Sequence, residues 1–141
     1  MPNADTFNLQ RFVDAQSAVY DTVRGELRRG RKHSHWMWFI FPQIAGLGHS
    51  VMAQRYAISS YAEARAYLEH PILGPRLREC TRLVLAVDRK SAYEILGSPD
   101  DMKFRSSLTL FSYATADNQI FRDALQKYFD GDEDTLTIAR L

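Results

Sequence analysis

HSHWMWFIFPQIAGLGHS, residues 33–50, is the stretch on which the reading of this chain turns. Its centre, Trp36 to Phe41, is six apolar residues in a row, four of them aromatic. Fully burying one such ring stabilises a fold by roughly 1.5–3 kcal/mol, so the run is expected to anchor a core. Period alone leaves its backbone open between helix and strand. Pro42 ends the run, and the residue before a proline tends to be extended. IAGLGHS then reads as a loop with two glycines.

Polar residues frame the run. His33 and His35 precede it, and Gln43 and His49 follow. A buried indole N–H needs an acceptor, and His35 and Gln43 are the nearest candidates. A second reading gives the same residues a ligand: Trp36 or Trp38 stacks on a planar ring such as a nucleobase, and the histidines line the pocket. His33, His35 and His49 could supply metal ligands, but no carboxylate lies in the window. Neither a metal nor a cofactor is expected.

Working outward, helical signals dominate. Asp5 is placed to cap a helix through LQRFVDAQSAVYDTVRGELRR, whose apolar residues recur at three- and four-residue spacings. Gly30 is its stop, with Arg28 and Arg29 in the last turn, where cations suit the helix dipole. VMAQRYAIS reads as a short helix. Ser60 to Glu63 is a capping-box pattern that opens a helix ending before Pro71. A helix follows from about Gly74 to Val87, with Leu73, Leu77, Val84 and Leu85 inward. SAYEILG is a short helix. Ser98 as cap, Pro99 at the first position and acids in the first turn open MKFRSSLTLFSYA. Asp117 is expected to cap IFRDALQKYF, and DTLTIARL closes the series. Strand alternation, internal repeats and linkers are not seen. The expectation is an all-α fold, a compact single-domain bundle over residues 1–141 with six to eight helices and a central aromatic segment.

Composition supports this. A chain of 141 residues is long enough to bury one core without staples. At 45% hydrophobic, 25% charged and 12% aromatic it has the make-up of a folded globular protein, which excludes intrinsic disorder. Cys80 is the single cysteine, so no intrachain disulfide can form, as expected in a reducing cytoplasm. No secretory leader is read in MPNADTFNLQRF, and no apolar run approaches the roughly 18 residues of a membrane span. The net charge is +1. Residues 1–60 hold seven Lys/Arg against four Asp/Glu, and residues 91–141 hold five against nine. That asymmetry is compatible with an anionic small molecule and argues against nucleic acid, which calls for a larger positive excess.

Two further groups of residues carry chemistry. Arg28-Arg29-Gly30-Arg31-Lys32-His33 is either a solvated helix end or an electrostatic lip for phosphates. In KFRSSLT, Lys103, Ser106 and Ser107 fall on one helix face, with Phe104, Leu108 and Phe111 opposite. One amine with two hydroxyls suits phosphate or sugar oxygens, and a desolvated lysine could activate a serine. The plain alternative is a polar surface, or hydroxyls bonding back to the helix carbonyls. Glycine-rich phosphate loops and Gly-x-Ser-x-Gly elbows are absent.

Taken together, KHSHWMWFIFPQIAGLGHS, YAISSYAEARAYLEHPILGPRLREC, ILGSPDDMKFRSSLTLF and YFDGDEDTLTIARL resemble the bacterial family known as domain of unknown function 1810. The resemblance runs from about Phe7 to Leu141. It implies a compact all-α domain and brings no activity or catalytic residues. The calpastatin label that members often carry does not fit, since such inhibitors are disordered polar chains.

The functional expectation is binding of an anionic, ring-containing small molecule, nucleotide-like or a sugar phosphate. Its site would lie between the aromatic segment and the Lys103 helix, with His35, Trp36, Trp38, Gln43, His49, Lys103, Ser106 and Ser107 as ligand-binding residues. One rival is a hydrolase or N-glycosidase on a nucleotide-like substrate, with His35, His49, Asp100 or Asp101 as acid or base. The other is a protein-interaction module. Whether the chain catalyses a reaction is left open by the residues.

Overall fold

A computed structural model describes residues 5–141. Residues 1–4, the start of the stretch read for a leader, lie outside the described residues. Ten helices and no strand are found among the described residues. None of these helices is long and apolar enough to cross a membrane. The all-α expectation holds, and two departures explain a count above eight.

First, the opening helix breaks. It forms α1 (Gln10–Ser17) and α2 (Tyr20–Arg28), with a bend at Ala18 and Val19. Apolar spacing runs across this bend undisturbed, so periodicity gave no sign of it. Asp5 caps as expected: its carboxylate accepts from the N–H groups of Leu9 and Gln10 at 2.7 and 2.9 Å. Second, the aromatic run contains one helical turn, α3 (Met37–Ile40). Phe41 then turns extended, with φ −124° and ψ 72°, as its following proline requires.

The remaining helices are α4 (Val51–Arg55), α5 (Tyr61–Glu69), α6 (Leu73–Leu85), α7 (Ala92–Leu96), α8 (Asp100–Ala114), α9 (Gln119–Phe129) and α10 (Thr135–Ile138). Ser60 caps α5 by accepting from the Glu63 N–H, but the Glu63 carboxylate turns to the Ser59 N–H and hydroxyl and to Arg11. The complete capping box is on α7, between Ser91 and Glu94. Two expected caps do not form. Neither Ser98 nor Asp117 bonds to the turn it precedes, and α8 and α9 begin without a side-chain cap. The first turn of α8 is held instead by backbone bonds to the carbonyls of Gly97 and Pro99.

The core is aromatic and continuous. Phe12 meets Tyr67 edge-on at 5.1 Å, Tyr67 meets Phe111 at 5.2 Å, and Phe41 meets Phe104 at 4.8 Å. These contacts join α1, the aromatic run, α5 and α8. α8 is central, packed against α5, α7, α9 and α10. Its length of buried residues explains why Ser106, Ser107 and Thr109 are buried rather than on a surface face. α5 and α6 approach closely at Gly74, where any Cβ would collide with the Leu68 carbonyl.

Between α3 and α5 the chain makes a short parallel bridge, Ile44 to Ile58. The Ala45 N–H donates to the Ile58 carbonyl and the Ile58 N–H to the Gln43 carbonyl, each at 2.8 Å. The bridge fixes the glycine loop and α4 beside the start of α8.

Candidate functional site

The two tryptophans of the aromatic run have opposite fates. Trp36 is buried, and its indole N–H donates to Glu26 at 2.9 Å. The same carboxylate accepts from the N–H groups of His33 and Ser34 at 2.7 and 3.0 Å, and from the Ser34 hydroxyl at 2.5 Å. Desolvation pushes the Glu26 carboxyl up, but the bonds from Ser34, the His33 N–H and Trp36 outweigh it and hold the group at about 2. The partner of the indole is therefore Glu26, and not His35 or Gln43. Trp36 cannot stack on a ligand from this position.

Trp38, two residues on, is only part-buried and faces a cleft of about 170 Å³. Trp38 and Phe41 form one wall with Gln43. The glycine loop contributes Ala45, Gly46 and Gly48, and α4 with its exit contributes Ala53, Gln54 and Tyr56. Lys103, on the first turn of α8, closes the remaining side. Its ammonium stands 5.8 Å from the centroid of the Trp38 ring, within cation–π range. The aromatic segment and the Lys103 helix thus meet at one cleft, in Trp38, Gln43 and Lys103.

Lys103 is linked to a charge chain behind the wall. Its ammonium lies 3.8 Å from one oxygen of Asp100, and Lys32 holds the other at 2.9 Å. Lys32 in turn stands 5.2 Å from the Trp36 ring. One carboxylate between two ammoniums leaves a net positive charge beside the cleft. Lys32 comes from the basic run 28–33, so one residue of that run does reach this region.

The other expected site residues lie elsewhere. Ser106 donates to Asp134 at 2.7 Å, with the Met102 carbonyl also 3.2 Å from its hydroxyl, so it holds the start of α10 and does not face the cleft. Ser107 is buried without a hydrogen-bond partner for its hydroxyl among the described residues, and no base stands near enough to activate it. His35 and His49 are exposed, and neither lines the cleft. Groups of three or more His, Cys, Asp or Glu that could hold a metal ion are absent among the described residues. Sequence spacing missed Glu26 altogether, and it named Asp100 as an acid or base but not as the partner of Lys103. A lone glutamate in an amphipathic helix carries no signal that it will be buried, whereas Lys103 and Asp100, three apart on a helix, are a readable pair.

The chain is similar throughout to a solved structure, that of the conserved hypothetical protein Rv1873 from Mycobacterium tuberculosis. The two share 58% identity, with a TM-score of 0.96, over 97% of this chain and 98% of the other. No curated protein matches the chain. A family model described as a protein of unknown function, DUF1810, matches residues 6–141. Nearly the whole chain is covered, and the protein therefore belongs to the DUF1810 family.

Proposed function

We propose that the cleft binds an anionic, ring-containing small molecule, nucleotide-like or a sugar phosphate, with one of its rings inside. Trp38 stacks the ring, Gln43 orients its polar atoms, and Lys103 meets the anion. The observation that carries the reading is the Lys103 ammonium set 5.8 Å from a part-buried tryptophan ring at the edge of a preformed cleft. Size limits the ligand. Drug-sized ligands fill pockets of about 300–1,000 Å³, whereas an apolar cavity of about 150 Å³ takes up one benzene. A cleft of about 170 Å³ suits a single ring, with the charged group at its mouth.

A rival use of the site is hydrolysis of the same class of molecule. Asp100 favours it among the four acid or base candidates, because it is paired to the lysine that lines the cleft. An interaction module built on the aromatic run has less support, since Trp36, Phe39 and Phe41 are buried.

Thermal unfolding against nucleotides, sugar phosphates and simple anions tests the proposal. A ligand present at 100 times its dissociation constant adds about 2.7 kcal/mol. The expected result is a raised midpoint in the wild type that Lys103→Ala abolishes. A raised midpoint that survives Lys103→Ala would place the ligand elsewhere.

A further inference from the structure

Gly46 lines the cleft in a left-handed conformation, φ +98°. The space its side chain would occupy is already filled. A Cβ built there would lie 2.6 Å from Cζ of Arg140 and 3.0 Å from one of its terminal nitrogens. The guanidinium therefore packs directly on a residue of the cleft wall. It comes from the turn that follows α10, far from Gly46 in sequence.

Arg140 is held there by the rest of α10. Asp134, 6% exposed, precedes that helix and is tied to α8 by several contacts. It accepts from the Ser106 hydroxyl at 2.7 Å and from the Thr137 hydroxyl at 2.6 Å. Its own N–H donates to Thr109 at 3.0 Å, and Arg105 stands 3.8 Å from its second oxygen. The Arg140 N–H closes the last turn onto the Thr137 carbonyl at 3.0 Å. The hydroxyls of the Lys103 helix therefore carry α10, and α10 carries a guanidinium against Gly46 of the cleft wall, although Arg140 is not itself a lining residue.

Arginines 11, 24, 65, 78 and 105 each engage a carboxylate. Among the described residues Arg140 has neither an ion pair nor a side-chain hydrogen bond, as is also true of Arg28, Arg29, Arg31, Arg55, Arg82, Arg89 and Arg122, and its packing against Gly46 is what marks it out. Lys103 shares Asp100 with Lys32, so these three groups together present about one positive charge. A free guanidinium raises that to two, the charge that matches a phosphate monoester, which carries about −1.5 to −2 near neutral pH. Its fork of donors also fits phosphate oxygens two at a time.

We infer that Arg140 is the second cation of this cleft, and that the site reads a phosphate monoester in preference to a singly charged carboxylate. The inference rests on the proposal that the cleft is an anion site, and it extends the site to α10.

Phenyl phosphate and benzoate test it, since both carry one ring and they differ in charge. Their affinities are measured by NMR titration of the wild type, Arg140→Gln, Arg140→Lys and Lys103→Gln. The wild type is expected to favour phenyl phosphate by about tenfold, the size of one charge-assisted contact. Arg140→Gln erases that preference and leaves benzoate binding in place, Arg140→Lys keeps part of it, and Lys103→Gln weakens both probes. Preference unchanged in Arg140→Gln, with both probes weakened by Lys103→Gln, overturns the inference and leaves the cleft proposal standing. Preference lost in Arg140→Gln while Lys103→Gln has no effect places the anion at Arg140 alone and overturns both the cleft proposal and the inference that rests on it. A wild type that binds neither probe overturns both. Arg140 is exposed, so an unchanged unfolding midpoint is expected for its variants and separates lost contact from lost fold.

Discussion

The Trp36 indole N–H and the Glu26 carboxylate meet at 2.9 Å inside the protein, joining the end of α2 to the aromatic run. Glu26 is thereby the hub for four donors, and its removal strands all four. Glu26→Ala is expected to destabilise by about 1–3 kcal/mol, since it leaves the buried Trp36 N–H unpaired while the other three donors are part-buried and can turn to water. Denaturant unfolding at neutral pH measures it.

The same group sets an acid dependence. Its folded pKa is lowered to about 2, so it contributes stability that is full above the ordinary glutamate range. That contribution is lost as pH falls from about 4.5 towards 2 and is worth on the order of 3 kcal/mol. Unfolding free energies at pH 7 and pH 2.5 should therefore differ less in Glu26→Gln than in the wild type.

The two tryptophans should separate by phenotype. Trp36→Phe leaves Glu26 short of a donor and loses packing, so the midpoint should fall by several degrees with no change in the ligand site. Trp38→Leu should leave stability within about 1 kcal/mol, as expected for a side chain outside the sealed core, and abolish any ligand-induced shift. The same melts, with and without ligand, check both.

Asp134→Asn should loosen α10 before anything else. Burial raises the Asp134 carboxyl, but bonds from Thr137 and Ser106 and the charge of Arg105 win, leaving it below its ordinary value. Its stabilising part is thus present above the usual carboxylate range and fades as pH falls. Hydrogen exchange should quicken in residues 134–140 of the variant at neutral pH, with α5 and α6 unchanged. Ser106→Ala should reproduce a milder form, costing about 1 kcal/mol.

Gly74→Ala should lower the midpoint markedly. The added methyl meets a backbone carbonyl, which cannot swing aside as a side chain would, and overpacking of this kind costs about 1–3 kcal/mol. Thermal unfolding of the single variant is enough.

Much of the fold was legible because helix spacing and the Asp5 and Ser60 caps are local signals. The bend at Ala18 and Val19 was not, because it leaves the apolar period unaltered. Ser98 failed as a cap although its local pattern was strong, since backbone carbonyls already serve that turn. Of the candidate site, Trp38, Gln43 and Lys103 were named from their residue types, and their meeting at one cleft could not be deduced from spacing. Ser106 and Ser107 misled because a helix-face argument assumes one exposed side. α8 is buried on nearly all of its sides, and there a hydroxyl serves structure. Arg140 lies nearly a hundred residues from Gly46, and nothing in either neighbourhood announces the contact.

The Ile44–Ile58 bridge has a consequence for the order in which the molecule assembles. Arg11, on α1, donates to the carbonyls of Arg55 and Ala57 at the end of the bridged segment, 44 and 46 residues away. The cleft wall is thus tied by contacts distant along the chain, whose formation waits on docking of helices already made. A loosely packed intermediate could hold most of its helices and still have no cleft. Helical content and closure of the cleft should then part company in mild denaturant, with the cleft the first to go.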